Sequence, residues 1–184
     1  MMKKSVKILA FTLATIVLVA CSSKYNVKVN LTPDEETAAK TEIQDMDKAI
    51  NEFVPGASGQ IPGLEIIRLA KAYEKLGNLG KAIDIYKGWL SKGYRAKSLS
   101  NNLGRLYEQV GETELAVKQY QTIIDQYMDT DYLYDITWAY IKAGDRKNAE
   151  KYFNAWQLDK KKTDEQTQQA IKDLRDKEVA AKAK

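Results

Sequence analysis

Histidine is absent from this chain of 184 residues, and cysteine occurs once, at Cys21. Without histidine there is no Ser–His–Asp or Cys–His nucleophilic set and no histidine-ligated metal. A lone cysteine also excludes an intramolecular disulfide. No GxxxxGK[ST] run is present to cradle phosphates, and Gly77-Asn78-Leu79-Gly80 lacks the rest of that motif. The net charge of +4 has a local origin: setting aside Lys3, Lys4 and Lys7 leaves 26 basic residues against 25 acidic ones. A nucleic-acid surface would need a basic stripe with interleaved aromatics, and none is seen. Asp125, Asp129, Asp131 and Asp135 crowd together but lack the order and the glycine of a calcium-binding EF-hand. Asp129 or Asp131 is expected to cap a helix instead. Neither a metal nor a cofactor is expected, and no catalytic set is recognisable.

What is present begins with the N-terminus. Met1 to Lys7 is a basic lead, and Ile8 to Ala20 is an apolar run free of charge. As a helix that run spans about 20 Å, too short for the hydrocarbon core, which reads as a signal segment. The run ends Leu18-Val19-Ala20-Cys21 with Ser22-Ser23 following, which resembles a bacterial lipobox. That resemblance implies that residues 1–20 are removed and that the sulfur of Cys21 is acylated. Serine rather than aspartate after the cysteine implies the outer membrane, facing the periplasm. In a Gram-positive cell the same anchor implies the outer face of the plasma membrane. Residues 21–31 then form a membrane tether, in which Val27 and Val29 alternate with polar residues as in a short extended segment.

Beyond the tether the pattern is helical. Thr32-Pro33-Asp34-Glu35 is a capping box with proline at the first helical position, and it predicts a helix from Pro33 to Phe53. Ile43, Met46, Ile50 and Phe53 supply its apolar stripe. Val54 to Pro62, with two prolines and two glycines, predicts a loop, so residues 32–62 form an N-terminal helix and loop. Three similar units follow over residues 63–162. Their glycines, Gly77, Gly111 and Gly144, are spaced by 34 and 33 residues. Leu69, Leu103 and Ile136 share a large apolar column, and Ala70, Gly104 and Thr137 a small one. Tyr73, Tyr107 and Tyr140 recur three residues on. In the second half of each unit stand Ala82, Ala116 and Ala149, then Tyr86, Tyr120 and Phe153. Small residues let paired helices approach, aromatics fill the gap where they diverge, and glycine permits the left-handed turn. Thr163 to Gln166 reads as another capping box, opening a polar helix over 163–184 held by Ile171, Leu174 and a weak contact near Val179.

A period near 34 with small and aromatic residues at fixed phases resembles the tetratricopeptide repeat. The resemblance implies an all-α, right-handed α-solenoid of three helical hairpins, closed by an N-terminal and a C-terminal capping helix. It departs from the family at the proline that often ends each unit, whose place is held by Tyr94, Met128 and Lys161. It departs also at an early tryptophan column, here Ile66, Ser100 and Leu133. By resemblance, the first helix of each unit lines a groove that binds a protein partner. Those positions are Ile67, Arg68 and Lys71; Asn101, Asn102, Arg105 and Glu108; and Tyr134, Asp135, Trp138 and Ile141. The family's clamp for a C-terminal carboxylate is not reproduced, because Ile67 and Lys71 stand where lysine and asparagine are needed. Packing against neighbouring helices is the competing role for Tyr134 and Trp138. The implied function is a lipid-anchored adaptor or scaffold for a protein or peptide partner in the cell envelope. Outer-membrane assembly, pilus biogenesis and cell-wall enzyme control all remain open, as do a structural subunit and, less favoured, a cell-wall enzyme.

Overall fold

The computed structural model describes residues 24–52 and 62–182, and among them there are eight α-helices and no strand. They are α1 Pro33–Asn51, α2 Gly63–Lys75, α3 Leu79–Ser91, α4 Lys97–Gln109, α5 Thr113–Tyr127, α6 Tyr132–Ala143, α7 Arg146–Lys160 and α8 Glu165–Lys182. Helices α2/α3, α4/α5 and α6/α7 are the three expected hairpins. The chain divides into two compact units at Leu99 and Ser100. Cys21, Phe53 and the stretch 54–61 lie outside the described residues, so the lipidation site and most of the predicted loop are not part of the fold described.

In the first unit, α1 starts where the sequence predicts. The Thr32 hydroxyl accepts the Glu35 N–H at 3.3 Å, and the Glu35 carboxylate accepts the Thr32 N–H at 2.9 Å. The Thr32 N–H, and then the Thr32 hydroxyl, which donates to the same carboxylate at 2.9 Å, hold the Glu35 carboxyl below the usual carboxylate range. Helix α1 packs along α2 with Ala39 and Met46 buried, whereas Ile43 and Ile50 are half-buried. The α2/α3 pair encloses Ile66, Leu69, Ala70, Ala82, Ile83 and Tyr86. Helix α2 ends in a Schellman turn: Gly77 N–H bonds to Glu74 C=O and Asn78 N–H to Tyr73 C=O, both at 2.9 Å. The two later hairpins repeat this pair of bonds, with the carbonyls of Tyr107 and Tyr140 in the place of Tyr73. The position of the aromatic column thus supplies the backbone carbonyl that closes each turn.

The segment expected to be a free tether is partly docked. Val27 N–H donates to Gly77 C=O at 2.9 Å, which holds an extended stretch against the first repeat's turn.

In the second unit, small residues sit where helices meet. A Cβ on Gly104 would fall 2.6 Å from Cε1 of Tyr120, so the Tyr120 ring lies directly over the α4 backbone. Ala116, Ala149 and Thr137 are fully buried, beside Leu103, Ile123, Ile136 and Phe153. Tyr140 stacks on Tyr152 with centroids 5.7 Å apart, and its hydroxyl donates to Glu114 at 3.3 Å.

Three local expectations need correction. Asp131 precedes α6 but makes no capping bond; its carboxylate pairs with Lys160 at 2.8 Å. Asp129 instead accepts the Asp131 N–H at 3.2 Å. Helix α8 is capped by Asp164 rather than Thr163. The Asp164 carboxylate accepts the Thr167 N–H at 2.8 Å, while the Thr163 hydroxyl accepts from Gln157 and Gln168. Val179 is 62% exposed, and the end of α8 is held by charge instead: Glu178 pairs with Arg146 at 2.9 Å. The second and third hairpins end without proline. Met128 and Lys161, at the family's proline position, take left-handed conformations with φ of 54° and 52°.

Candidate partner-binding surface

The outward residues of each first helix are the candidates, and the structure separates them into those with internal partners and those without. In the first unit, Arg68 donates to Glu42 of α1 at 3.1 Å, so its guanidinium is engaged by the N-terminal helix. Ile67 is half-buried and Lys71 is exposed.

In the second unit, Glu108 of α4 is a bridge. It accepts the Tyr120 hydroxyl of α5 at 2.5 Å and pairs with Lys142 of α6 at 2.6 Å. With its side chain only 13% exposed, Glu108 ties three helices together. Burial, then Glu108, push the Tyr120 hydroxyl well above its ordinary range; Asp135 adds to the shift and Arg105 opposes it. The charges of Arg105, Glu108 and Asp135 are thus all felt at the Tyr120 hydroxyl. Tyr134 is also committed internally. Its hydroxyl donates to Asp164 at 3.1 Å, and its ring lies 4.9 Å from that of Trp156 and 6.4 Å, edge-on, from that of Trp138. Packing is thus the role the structure gives Tyr134.

The remaining candidates are different. Asn101, Arg105 and Asp135 make no hydrogen bond or ion pair among the described residues, and Trp138 offers a half-exposed ring. Asn102 has an interaction of its own, and Ile141 is half-buried. Desolvation first, and then the charge of Glu108, raise the Asp135 carboxyl above the usual carboxylate range, while Lys142 opposes the shift. A carboxylate in that situation gains from an incoming hydrogen-bond donor or cation. The surface thus combines a free amide, a free guanidinium, a destabilised carboxylate and an aromatic ring. Lys142 belongs to it and was missed from sequence, although it lies four residues beyond Trp138 on the same helical face.

Comparison with known proteins bears on this geometry. Residues 66–88, which span the α2/α3 turn, match the tetratricopeptide repeat family model. A crystal structure of a tetratricopeptide repeat protein from Parabacteroides merdae ATCC 43184 superposes with a TM-score of 0.61 at 18% identity, covering 90% of this chain. The chain carries the tetratricopeptide-repeat fold. It spans 61% of the length of that structure. No curated protein matches. Repeats of this kind bind protein partners.

Proposed function

We propose that the chain is a lipid-anchored adaptor that holds a protein partner at the bacterial cell envelope and carries out no chemistry of its own. The observation that carries this reading is the contrast on α4 and α6. Glu108 and Tyr134 are consumed by internal bonds, while Asn101, Arg105 and Asp135 make no hydrogen bond or ion pair among the described residues. A repeat whose only task is to stack has no need of an unpaired carboxylate in a crowded setting, because that group costs stability at neutral pH. The amide suits an extended peptide backbone, the two charges suit opposite charges on the partner, and Trp138 suits an apolar anchor.

The anchor rests on Cys21 and its lipobox-like context. An acylated Cys21 places the adaptor on the outer membrane, facing the periplasm, or on the outer face of the plasma membrane in a Gram-positive cell. One acyl chain binds only marginally, and stable anchoring takes more than one. The test is cross-linking followed by pull-down from membrane extracts, with the wild-type chain beside Cys21→Ser. The wild type should fractionate with membranes and capture a defined partner; Cys21→Ser should appear in the soluble fraction or remain unprocessed. Membrane retention of a processed Cys21→Ser chain would count against the anchor. Failure to enrich any protein over a scrambled-surface control would count against the adaptor.

A further inference from the structure

The stretch between residue 21 and α1 makes a contact that a simple tether has no need of. Val27 donates its N–H to Gly77 C=O at 2.9 Å. The approach is so close that a Cβ on Gly77 would lie 2.1 Å from Val27 C=O and 3.2 Å from Cγ1 of Val29. Val27, Val29 and Leu31 alternate with Lys28 and Asn30, and together with Leu76, Glu36 and Lys40 they surround a shallow recess beside the turn. The seat is slight. Val27 remains 49% exposed and Val29 38%. One backbone hydrogen bond and a few apolar edges suffice to form the contact and are few enough to release it.

We propose that residues 24–31 are a clasp that sets how far the first repeat stands from the membrane, an inference that rests on the lipid anchor at Cys21. With the clasp closed, the chain between Cys21 and its seat at Val27 reaches at most about 20 Å. With the clasp open, the free chain extends to Thr32 and reaches about 35–40 Å. Gly77 therefore has two roles: it ends α2, and it admits the strand that limits the reach. Release of the clasp lets the first repeat move outward by about 15 Å without unfolding any helix.

The test uses the purified full chain, in detergent and in liposomes. Hydrogen exchange of residues 24–31 is compared in wild type, Gly77→Ala, Val27→Pro and Gly111→Ala. Val27→Pro removes the donor without touching the repeat turn, which guards against misfolding of Gly77→Ala. Gly111 shares the left-handed conformation but has nothing within 4 Å of a built Cβ, so Gly111→Ala is the control. In liposomes, energy transfer from a dye on Lys87→Cys, an exposed position of α3, to headgroup acceptors reads the standoff. Wild type and Gly111→Ala should show protection of the segment about tenfold or more above the two clasp variants. In both clasp variants the standoff should lengthen by about 15 Å. Unprotected exchange in wild type, or a standoff identical in all four proteins, overturns the clasp. Failure of the wild-type chain to enter liposomes overturns the anchor on which the distance role rests, and leaves the exchange result to judge the contact itself.

Discussion

Gly77, Gly111 and Gly144 share one backbone conformation but not one environment. All three have φ between 71° and 76°, where a side chain is strained. Only Gly77 also meets another part of the chain, at Val27 and Val29. Alanine at Gly111 should therefore cost about 1–2 kcal/mol, the strain of the left-handed conformation. Alanine at Gly77 should cost more, because it also expels the clasp. Urea titration of the two variants checks the ordering, and equal costs would mean that the clasp contact adds no stability. The converse applies at Met128 and Lys161, which hold φ of 54° and 52° with full side chains. Met128→Gly should stabilise the fold by about 0.5–1.5 kcal/mol, as strain relief outweighs the added backbone freedom; a lower midpoint would show that the Met128 side chain has a role of its own. The glycine turns were legible in the sequence because only glycine suits them. The stops at Met128 and Lys161 were not, because ordinary residues are held there by tertiary structure. Lys160 pairs with Asp131 and Asp159, and Thr130 donates to Asp159 at 2.6 Å, which together pin the end of α7 near the start of α6.

Among elements, α5 and α8 show opposite kinds of attachment. Helix α5 is packed by shape: Ala116 has no exposed surface, and Tyr120 covers Gly104. Ala116→Leu should overpack this contact at a cost of about 1–3 kcal/mol, whereas Ala181→Leu on the exposed end of α8 should be nearly neutral. Equal melting temperatures for the two would contradict the hairpin register. Helix α8 buries Ile171 and Thr167 but is otherwise held by polar groups. Hydrogen bonds from the Thr167 hydroxyl and then its N–H keep the Asp164 carboxyl below its usual range. A bond from Arg175, joined by one from Arg146, does the same for Glu150. A carboxylate depressed in the folded state contributes stability that is complete above its unfolded value and is lost as pH falls through the folded one. Acidification below the usual carboxylate range should thus loosen α8 before α5, with exchange at α8 amides rising first. Asp164→Asn should weaken that pH dependence. Simultaneous loosening of both helices would show that the cap and the ion pairs carry little weight. The sequence revealed α8 itself but not these attachments. Thr163 and Asp164 both suit a cap, and the choice between them falls to Tyr134 and Thr167, which lie 30 and 3 residues from Asp164.

At the scale of the molecule, the hairpins and their columns were readable because each local pattern recurs three times with a physical reason, and both flanking helices because each opens on a helix-start signal. The candidate surface was only partly readable. Register placed the candidates on the first helices, but it could not separate Arg105 and Asp135, which are unpaired, from Glu108 and Tyr134, which are spent on α5, α6 and α8. That separation depends on contacts between helices, which no single periodicity encodes. The account of an adaptor stands on the unpaired group, and binding energies measure it. Once the partner is captured, its Kd should be determined against wild type, Arg105→Ala and Trp138→Ala, with melting curves recorded alongside. The account predicts that each variant weakens binding by at least about fivefold, roughly 1 kcal/mol, with the fold intact. Wild-type affinity in both variants, or unfolding of the domain by Trp138→Ala, would contradict it.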